Sequence, residues 1–385
     1  MQLPVYLDHH ATTPCDERVL QAMLPWFSEH FGNAASRTHT FGMRAKSAVE
    51  LARERVAELI GCSPKEVVWT SGATESDNLA VLGVAKAAQR GHIITTTVEH
   101  KAVLDPCVHL QKDGFDVTFL PVDEHGRVTE DQVAGAFRDD TVLVSIMMAN
   151  NEVGTLQPVA QIGALCRARS VPLHVDAAQA AGHVSIDVVR DHIDLLSLSA
   201  HKMYGPKGIG ALYVRRGRPR IKIRPLLHGG GHERGLRPGT LPVPLIVGMG
   251  EASKLALSGL ADGEPQRLAT LRDRLWMGLD EGIEDVQRNG AMTGILPHNL
   301  NISISNCEAE ALMMNLRRDV AMSSGSACSS ATLEPSYVLR AMGLSDEQAY
   351  ASIRFGLGRR TNEAQVDHVV NAIIAQVQHL RALRS

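Results

Sequence analysis

One lysine follows a predicted strand in the segment SLSAHKMYGPKGIG, residues 197–210. His201 and Lys202 come directly after the apolar run IDLLSLS, which is typical of a buried strand. A lysine at a strand end can be desolvated, and its amine then becomes nucleophilic. Ala200 and three glycines leave room beside it for a flat, bulky group. The segment therefore makes Lys202 a candidate nucleophile beside space for such a group.

A second segment, TSGATESDN at residues 70–78, predicts the end of a strand at Thr70 and the start of a helix. Gly72 and Thr74 open that helix. Small residues and free backbone N–H groups at a helix N-terminus can hold a phosphate. An ordinary helix cap formed by Thr74 and Asp77 is the alternative, and the segment alone does not decide between them.

Asp176 ends a third apolar run, in HVDAAQ at residues 174–179. A carboxylate there could bind a metal, act as a base, pair with a heterocyclic N–H, or cap a helix. Gln179 lies three residues later, on the same side of a first helical turn. His100, in VEHKAVL, follows another strand, and Asn151, in NNEVG, lies in a predicted turn.

These features together describe one kind of site, although a lone histidine such as His100 is more often structural. A Schiff-base lysine, an aspartate for a pyridinium nitrogen and a helix N-terminus for a phosphate match the needs of pyridoxal 5′-phosphate (PLP). No single segment is decisive, but the set in this order predicts a PLP site.

Cys328 lies in SSGSACSS, residues 323–330, a run of small residues without apolar periodicity. Such a run predicts an exposed, flexible loop. Structural cysteines are usually buried, whereas an exposed cysteine can be a nucleophile if its pKa is lowered. An incidental surface cysteine is the alternative.

Short apolar runs alternate with helical patterns along the first two thirds of the chain. The helical pattern FGMRAKSAVELARERVAELIG ends at Gly61. The predicted strands are in EVVWTSG, HIITTTVEH, TVLVSIMMANN, VPLHVDAAQ, IDLLSLSAHK and GIGALYVRRG. This alternation predicts an α/β fold with a mainly parallel sheet covered on both faces. Chemistry in such sheets collects at the carboxyl ends of the strands.

The length of 385 residues predicts two lobes. A helical stretch, PLIVGMGEASKLAL, is followed by the polar segment SGLADGEPQ. We place a large domain at residues 15–258 and a smaller α+β domain at 1–14 and 259–385. The second includes the strands PHNLNISIS and ASIRFGLGR and the cysteine loop at about 323–333.

Composition excludes several other classes of protein. The chain is 44% hydrophobic and 21% charged, as ordinary soluble proteins are, and its net charge of −3 predicts no polyanion binding. No apolar run approaches the ~20 residues of a membrane span, and the N-terminus does not resemble a secretory signal. The six cysteines form no CxxC pair, which argues against zinc and disulfides and predicts a cytoplasmic location.

The motifs extend over nearly the whole chain. In order they are YLDHHATTP, TSGATESDN, VEHKAVL, NNEVG, VDAAQ, SAHKMYGPKGIG, GGGHERGLRPGT, SSGSACSSATLEPSYVLRAMG and SIRFGLGR. With them the chain resembles the PLP-dependent cysteine desulfurases of the NifS/IscS-like group, within the class V aminotransferases. The resemblance implies the PLP transferase fold of type I with a seven-stranded sheet, and a homodimer with a shared active site.

The resemblance also implies catalytic roles. Lys202 holds the cofactor covalently and shuttles protons. Asp176 pairs with the pyridinium nitrogen, Gln179 faces the phenolic oxygen, and His100 stacks on the ring as a candidate acid or base. Cys328 is the nucleophile that takes the sulfur, and it is also a candidate transient ligand of an iron–sulfur cluster; no resident metal is expected.

The remaining implied contacts concern the phosphate and the substrate. Ala73, Thr74, Ser199 and His201 reach the phosphate, and Thr240 reaches the phosphate of the partner subunit. Arg354 clamps the substrate carboxylate, a bidentate task suited to a guanidinium group. Asn151 and Asn33 lie near the same carboxylate, and Asn151 also borders the cofactor.

The implied reaction converts L-cysteine to L-alanine and leaves the sulfur as a persulfide on Cys328. An acceptor protein, a scaffold or a sulfur carrier, then takes the sulfur for iron–sulfur cluster assembly or for thiolation of tRNA or another cofactor. The chain departs from the group's usual pattern at Pro238 and Ala200, and no role is assigned to His9 and His10. It ends at Ser385, so the longer tail by which relatives dock a scaffold is not expected.

Three other functions compete with this interpretation. An aminotransferase or a selenocysteine lyase of the same fold would keep Lys202 and Asp176 but would not need Cys328. A non-catalytic subunit should have lost one of these three residues, and none is lost. A metal hydrolase using His100, Asp176 and His201 lacks the short ligand spacings such sites show.

Overall fold

A computed structural model describes residues 2–324 and 334–383 of the chain. The strands are β1 Val5–Tyr6, β2 Val67–Thr70, β3 His92–Thr96, β4 Asp116–Leu120, β5 Thr141–Ser145, β6 Leu173–Asp176, β7 Leu195–Ser199, β8 Gly210–Val214, β9 Val286–Arg288, β10 Asn299–Ile304, β11 Val320–Ala321, β12 Ser323–Ser324 and β13 Ser352–Gly356. The helices are α1 Glu17–Met23, α2 Pro25–Ser28, α3 Thr40–Ile60, α4 Ala73–Ala88, α5 Lys101–Lys112, α6 Glu130–Ala136, α7 Val159–Arg169, α8 Val243–Ala261, α9 Glu264–Gly282, α10 Ala309–Leu316, α11 Tyr337–Ala341, α12 Asp346–Tyr350 and α13 Glu363–Ala382.

The main sheet has seven strands in the order β2-β8-β7-β6-β5-β3-β4. Its five strands from β3 to β7 pair in parallel, whereas β8 is antiparallel to both β2 and β7. The mainly parallel sheet predicted from the sequence is therefore confirmed, as is the number of seven strands that the resemblance implies, and each predicted strand is present. Strand β4 was not predicted, and its sequence DVTFL is mostly outside the core at the sheet edge.

Helix α3 shows why the large core forms where it does. Val49, Val56 and Ile60 recur at helical spacing and are fully buried. The helix ends at Gly61, whose φ of 70° is the left-handed conformation of a C-cap, as the sequence predicted. The face of α3 packs on α8, because a small residue, Gly250, lets the two backbones approach at Ala52.

Helix α8 is apolar over most of its surface because it is a core helix. By length and composition alone it is the one helix of the described residues that could cross a membrane. Its Ile246, Met249 and Ala256 nevertheless lie in the same buried cluster as α3. The predicted domain boundary between residues 258 and 259 falls in its last turn and remains a prediction.

A second buried cluster is built from α9, α10, α13 and the sheet β12-β13-β10-β9. The strands predicted in PHNLNISIS and ASIRFGLGR are β10 and β13, and they pair antiparallel. The N-terminal strand β1 pairs in parallel with β11, and Leu7 is fully buried in this second cluster. After Leu7, the chain therefore passes from the second core to the first.

Candidate active site

A cavity of about 480 Å³ lies at the carboxyl ends of the sheet strands, within the size range of small-molecule sites. Its walls come from the turns after β2, β3, β5, β6 and β7, from the N-terminal segment and from β13. The lining residues are His10, Ala11, Ser71, Gly72, Ala73, Thr74, Glu75, Asp77, His100, Met147, Ala149, Asn151, Asp176, Ala178, Gln179, Ser199, His201, Lys202, Lys207, Gly208 and Arg354.

Lys202 stands in a short 3₁₀ turn, Ala200–Lys202, directly after β7. Its Nζ donates hydrogen bonds to the backbone carbonyl of His10 and, at 3.0 Å, to that of Ala11. The neighbouring His201 Nδ1 lies 3.1 Å from Thr12 Oγ1. The N-terminal segment thus fixes the lysine amine at the wall of the cavity, where the sequence placed it.

Asp176 is the last residue of β6 and is buried. Its Oδ1 accepts a hydrogen bond from the Ala178 N–H at 2.9 Å. Burial raises the pKa of the Asp176 carboxyl, and the nearby Asp77 raises it further. No α-helix begins here: residues 178–180 form a single turn, in which the Ala181 N–H donates to the Ala177 carbonyl at 2.9 Å. The helix-cap alternative for Asp176 is therefore wrong, whereas Gln179 lies within the one helical-type turn that this bond closes.

The N-terminus of α4 faces the same cavity. Its N-cap is Gly72, which supplies no capping side chain, so the cap expected from Thr74 and Asp77 is also wrong. A Cβ added to Gly72 would have nothing within 4 Å, so there is open space in front of the helix. Ala73 and Thr74, in the first turn, line that space. Uncapped N–H groups and the positive end of the helix dipole favour an anion there.

His100 and Arg354 face the cavity from opposite cores. His100 is the N-cap of α5, and its Nδ1 accepts a hydrogen bond from the Ala102 N–H at 3.1 Å. The Arg354 guanidinium, on β13, donates to the Asn151 carbonyl at 2.9 Å and lies 3.2 Å from Asp8 Oδ1. Its Nε is buried without a hydrogen-bond partner among the described residues. Arg354 also lines the cavity, which places a cationic side chain at its wall.

Charges of both signs meet around the cavity. Burial, with Lys202 and Lys207 close by, lowers the pKa of His201 to about 4, so the imidazole is neutral at physiological pH. Asp77 is fully buried, and its carboxylate oxygens have no hydrogen-bond partner within the described ranges; His174 Nε2 lies 3.5 Å away. The described residues contain no group of three or more histidine, cysteine or acidic side chains that could hold a metal ion.

The structure brings most of the predicted site residues together. The lining includes Ala73, Thr74, His100, Asn151, Asp176, Gln179, Ser199, His201, Lys202 and Arg354. Asn33 and Thr240 are exposed and do not line it, and Cys328 lies outside the described residues. His10 lines the cavity but was assigned no role from sequence, although it stands inside the motif YLDHHATTP.

Comparison with known proteins identifies the family of the chain. The family model "Aminotransferase class-V" matches residues 5–369. A protein named cysteine desulfurase IscS from Anaeromyxobacter sp. (strain Fw109-5) is 57% identical over 386 residues, covering 100% of this chain and 95% of the relative. A solved NifS-like protein has a TM-score of 0.90 at 37% identity and covers 98% of this chain and 100% of its own.

A second solved structure, described as SspA in complex with cysteine, has a TM-score of 0.81 at 39% identity and covers 92% of this chain and 98% of its own. The chain therefore belongs to the class-V aminotransferase family. Within that family it is a member of the cysteine desulfurases of the NifS/IscS-like group.

Proposed function

We propose that the chain is a PLP-dependent cysteine desulfurase that converts L-cysteine to L-alanine and carries the sulfur as a persulfide on Cys328. The observation that supports the proposal most strongly is the joint exposure of Lys202 and Asp176 to one cavity that also contains the open N-terminus of α4. Relatives named cysteine desulfurase match over the full length of this chain.

The residues present fit PLP. The space in front of Gly72, with the uncapped N–H groups of α4, suits a phosphate, and Ser199 and His201 border it. All three of Asp176, Gln179 and His100 line the cavity; Asp176 would pair with the ring nitrogen, Gln179 with the phenolic oxygen, and His100 with the ring face. When bound, PLP supplies an electron sink that stabilises negative charge on the substrate's Cα.

The protein's own groups bind the substrate and move its protons. The substrate carboxylate binds the buried guanidinium of Arg354, whose Nε lacks a partner among the described residues, and Asn151 lies beside it. Lys202 Nζ removes the proton from Cα and returns a proton to the product. Lys202 is suited to this task because carbonyl groups of the N-terminal segment hold its amine at the cavity wall.

The sulfur step needs a thiolate. The Cys328 thiolate attacks the substrate sulfur and forms an S–S bond, while the bond between that sulfur and the substrate's Cβ breaks. The electron pair of the broken bond stays with the carbon skeleton, which takes up a proton and leaves as alanine. The persulfide on Cys328 is then passed to an acceptor protein, either a scaffold for iron–sulfur clusters or a carrier for thiolation.

A homodimer would explain why two of the predicted site residues lie outside the cavity of a single copy. Asn33 and Thr240 are both exposed, and Phe31, two residues before Asn33, is 66% exposed. In a homodimer, Thr240 of one copy would contact the phosphate bound by the other copy. A cytoplasmic enzyme that acts on free L-cysteine is the simplest setting for this chemistry.

Two variants test the function. Lys202→Ala should lose the visible absorbance of bound PLP and at least about 100-fold in alanine formation, because the group that moves the proton is gone. Cys328→Ser should keep that absorbance but lose both alanine and sulfide release from L-cysteine. Both reactions are followed with a reductant present.

Matched controls are Lys86→Ala and Cys15→Ser, since Lys86 and Cys15 are exposed and line no part of the cavity. Both controls should react as the wild type does. An unchanged spectrum in Lys202→Ala would contradict the assignment of the lysine. Normal turnover in Cys328→Ser would contradict the persulfide.

A further inference from the structure

Three histidines outside the proposed chemistry stack on one another between the two cores. The ring centroids of His10 and His298 are 4.4 Å apart, and those of His298 and His183 are 3.9 Å apart. His183 Nε2 lies 3.1 Å from the carbonyl oxygen of Lys202. All three side chains are buried. Of the three, only His10 lines the cavity.

The His10 ring lies between two side-chain amides. Its Nδ1 is 3.1 Å from Gln179 Oε1, and its Nε2 is 3.1 Å from Asn299 Nδ2. Burial holds the pKa of His10 well below its ordinary value, so the ring is neutral and carries one N–H. A neutral imidazole donates from one nitrogen and accepts at the other.

Two backbone carbonyls decide which nitrogen donates, because a carbonyl oxygen can only accept. Gln179 Nε2 donates to the His10 carbonyl at 3.0 Å, and Asn299 Nδ2 donates to the Glu152 carbonyl at 3.1 Å. Turning either amide would place its oxygen against a carbonyl oxygen. Asn299 therefore donates to His10 Nε2, and His10 Nδ1–H donates to Gln179 Oε1.

Residue 10 consequently holds both ends of the Gln179 amide. Its side chain binds the amide oxygen, and its backbone carbonyl binds one N–H of the amide nitrogen. The same carbonyl also accepts from Lys202 Nζ. The second N–H of Gln179 is left for a group bound in the cavity that Gln179 lines.

We propose that His10 is a positioning residue that fixes the Gln179 amide with its N–H toward the phenolic oxygen of the cofactor. This inference rests on the proposed function, since it concerns PLP in the same cavity. A donor to the phenolic oxygen draws charge from it and so lowers the pKa of the neighbouring Lys202 nitrogen. Without His10, the buried Gln179 oxygen lacks a donor, and the amide turns to find one.

The test is the absorbance of PLP-loaded protein titrated with pH. His10→Leu removes the donor at similar size, and the pH of the absorbance change should rise by about one unit, the effect of one hydrogen bond to a charged group. His10→Asn places an amide N–H where Nδ1 stands, and it should show less than half of that rise. An unchanged transition in His10→Leu, or an equal rise in both variants, would overturn the proposal.

His298→Leu is the control for packing, since it removes the stacked ring but leaves the contact between His10 and Gln179. Its absorbance transition should match that of the wild type even if its melting temperature is lower. A rise equal to that of His10→Leu would assign the effect to packing and overturn the proposal. If the wild-type protein has no absorbance band, the proposed function itself is contradicted. If the band is normal and the pH of its transition does not change in His10→Leu, only the role of His10 is contradicted.

Discussion

Glu99 immediately precedes His100, and its carboxyl group is fully buried. Oε1 accepts hydrogen bonds from Thr96 Oγ1 at 2.8 Å and from the Met147 N–H at 3.0 Å. Oε2 has no hydrogen-bond partner in the described part of the chain. Burial raises the pKa of Glu99 to about 8, so the native protein keeps a proton there at neutral pH.

The proton on Glu99 makes stability depend on pH. Between its ordinary pKa of 4.5 and about 8, the native state holds this proton and the unfolded state does not. The free energy of unfolding therefore falls as pH rises through this window, by up to about 1.4 kcal/mol per pH unit from this group. Glu99→Gln has no titrating group at this position. Its free energy of unfolding relative to that of the wild type should therefore rise with pH, with the same slope.

Urea unfolding at pH 5.5, 6.5 and 7.5 measures this difference. The control is Glu54→Gln, an exposed position on α3, which should keep a constant difference from the wild type. If the curves for Glu99→Gln and wild type stay parallel over this range, Glu99 is ionised in the native protein.

Residues whose role follows from their position in an element can be predicted from the sequence. Lys202 and Asp176 could be predicted because Asp176 ends an apolar strand and Lys202 comes just after one, and strand ends of a parallel sheet meet at one edge. His10 could not be assigned, since its role depends on Gln179, which lies 169 positions away. Glu99 was missed because its character comes from burial, and no local pattern in the sequence shows burial.

At the scale of elements, the predicted strands were found because β-branched and apolar runs mark buried strands well. The direction of β8 could not be predicted, since a strand buried on both faces has the same apolar pattern in either direction. Strand β4 was missed because an edge strand is half-exposed and its sequence, DVTFL, mixes polar and apolar residues.

Gly210 joins two elements that carry the site. It is the first residue of β8 and pairs with Thr70 of β2 and with Ser199 of β7. A Cβ at this position would lie 2.5 Å from the Leu198 carbonyl oxygen and 2.6 Å from Gly72 Cα. Both neighbours are backbone atoms, so a Cβ can be accommodated only if the turn before α4 is displaced.

Gly210→Ala should therefore destabilise the protein by about 1–3 kcal/mol, the usual cost of overpacking. It should also raise the Kd for PLP about tenfold, because the displaced turn borders the proposed phosphate site. A tenfold change in Kd corresponds to ~1.4 kcal/mol of binding free energy. Gly135→Ala is the control, because this exposed glycine of α6 has nothing within 4 Å of an added Cβ and alanine favours a helix. Equal PLP affinity in Gly210→Ala and wild type would show that the turn is not held by this contact.

At the scale of the whole molecule, the cavity depends on both cores. Residues 5–7 belong to the second core through β1, and the chain then reaches Lys202 through the carbonyls of His10 and Ala11. Arg354, from β13, closes the cavity from the same side. The site therefore requires both cores to be folded and packed together, which no motif shows on its own.

An exposed apolar surface on the first core bears on the oligomeric state. Phe31 and Phe41 are 66% and 50% exposed, and their ring centroids are 5.4 Å apart. Met43 is 58% exposed close by in the chain. Exposed aromatic clusters of this kind mark protein interfaces, and Asn33 follows Phe31 by two residues. A second copy of the chain is the partner that the proposed function requires.

Light scattering of the PLP-loaded protein should therefore give about twice the chain mass of 41.6 kDa. Phe31→Ser should shift the mass toward one chain at low micromolar concentration, because it removes a large apolar anchor from the interface. It should lower alanine formation in parallel, since Thr240 would no longer reach the partner's cavity. Met314→Ser, at a side chain 56% exposed on α10 of the second core, should leave both mass and activity unchanged. If the wild-type protein has the mass of one chain and is fully active, one copy completes the site without Asn33 or Thr240 from a partner.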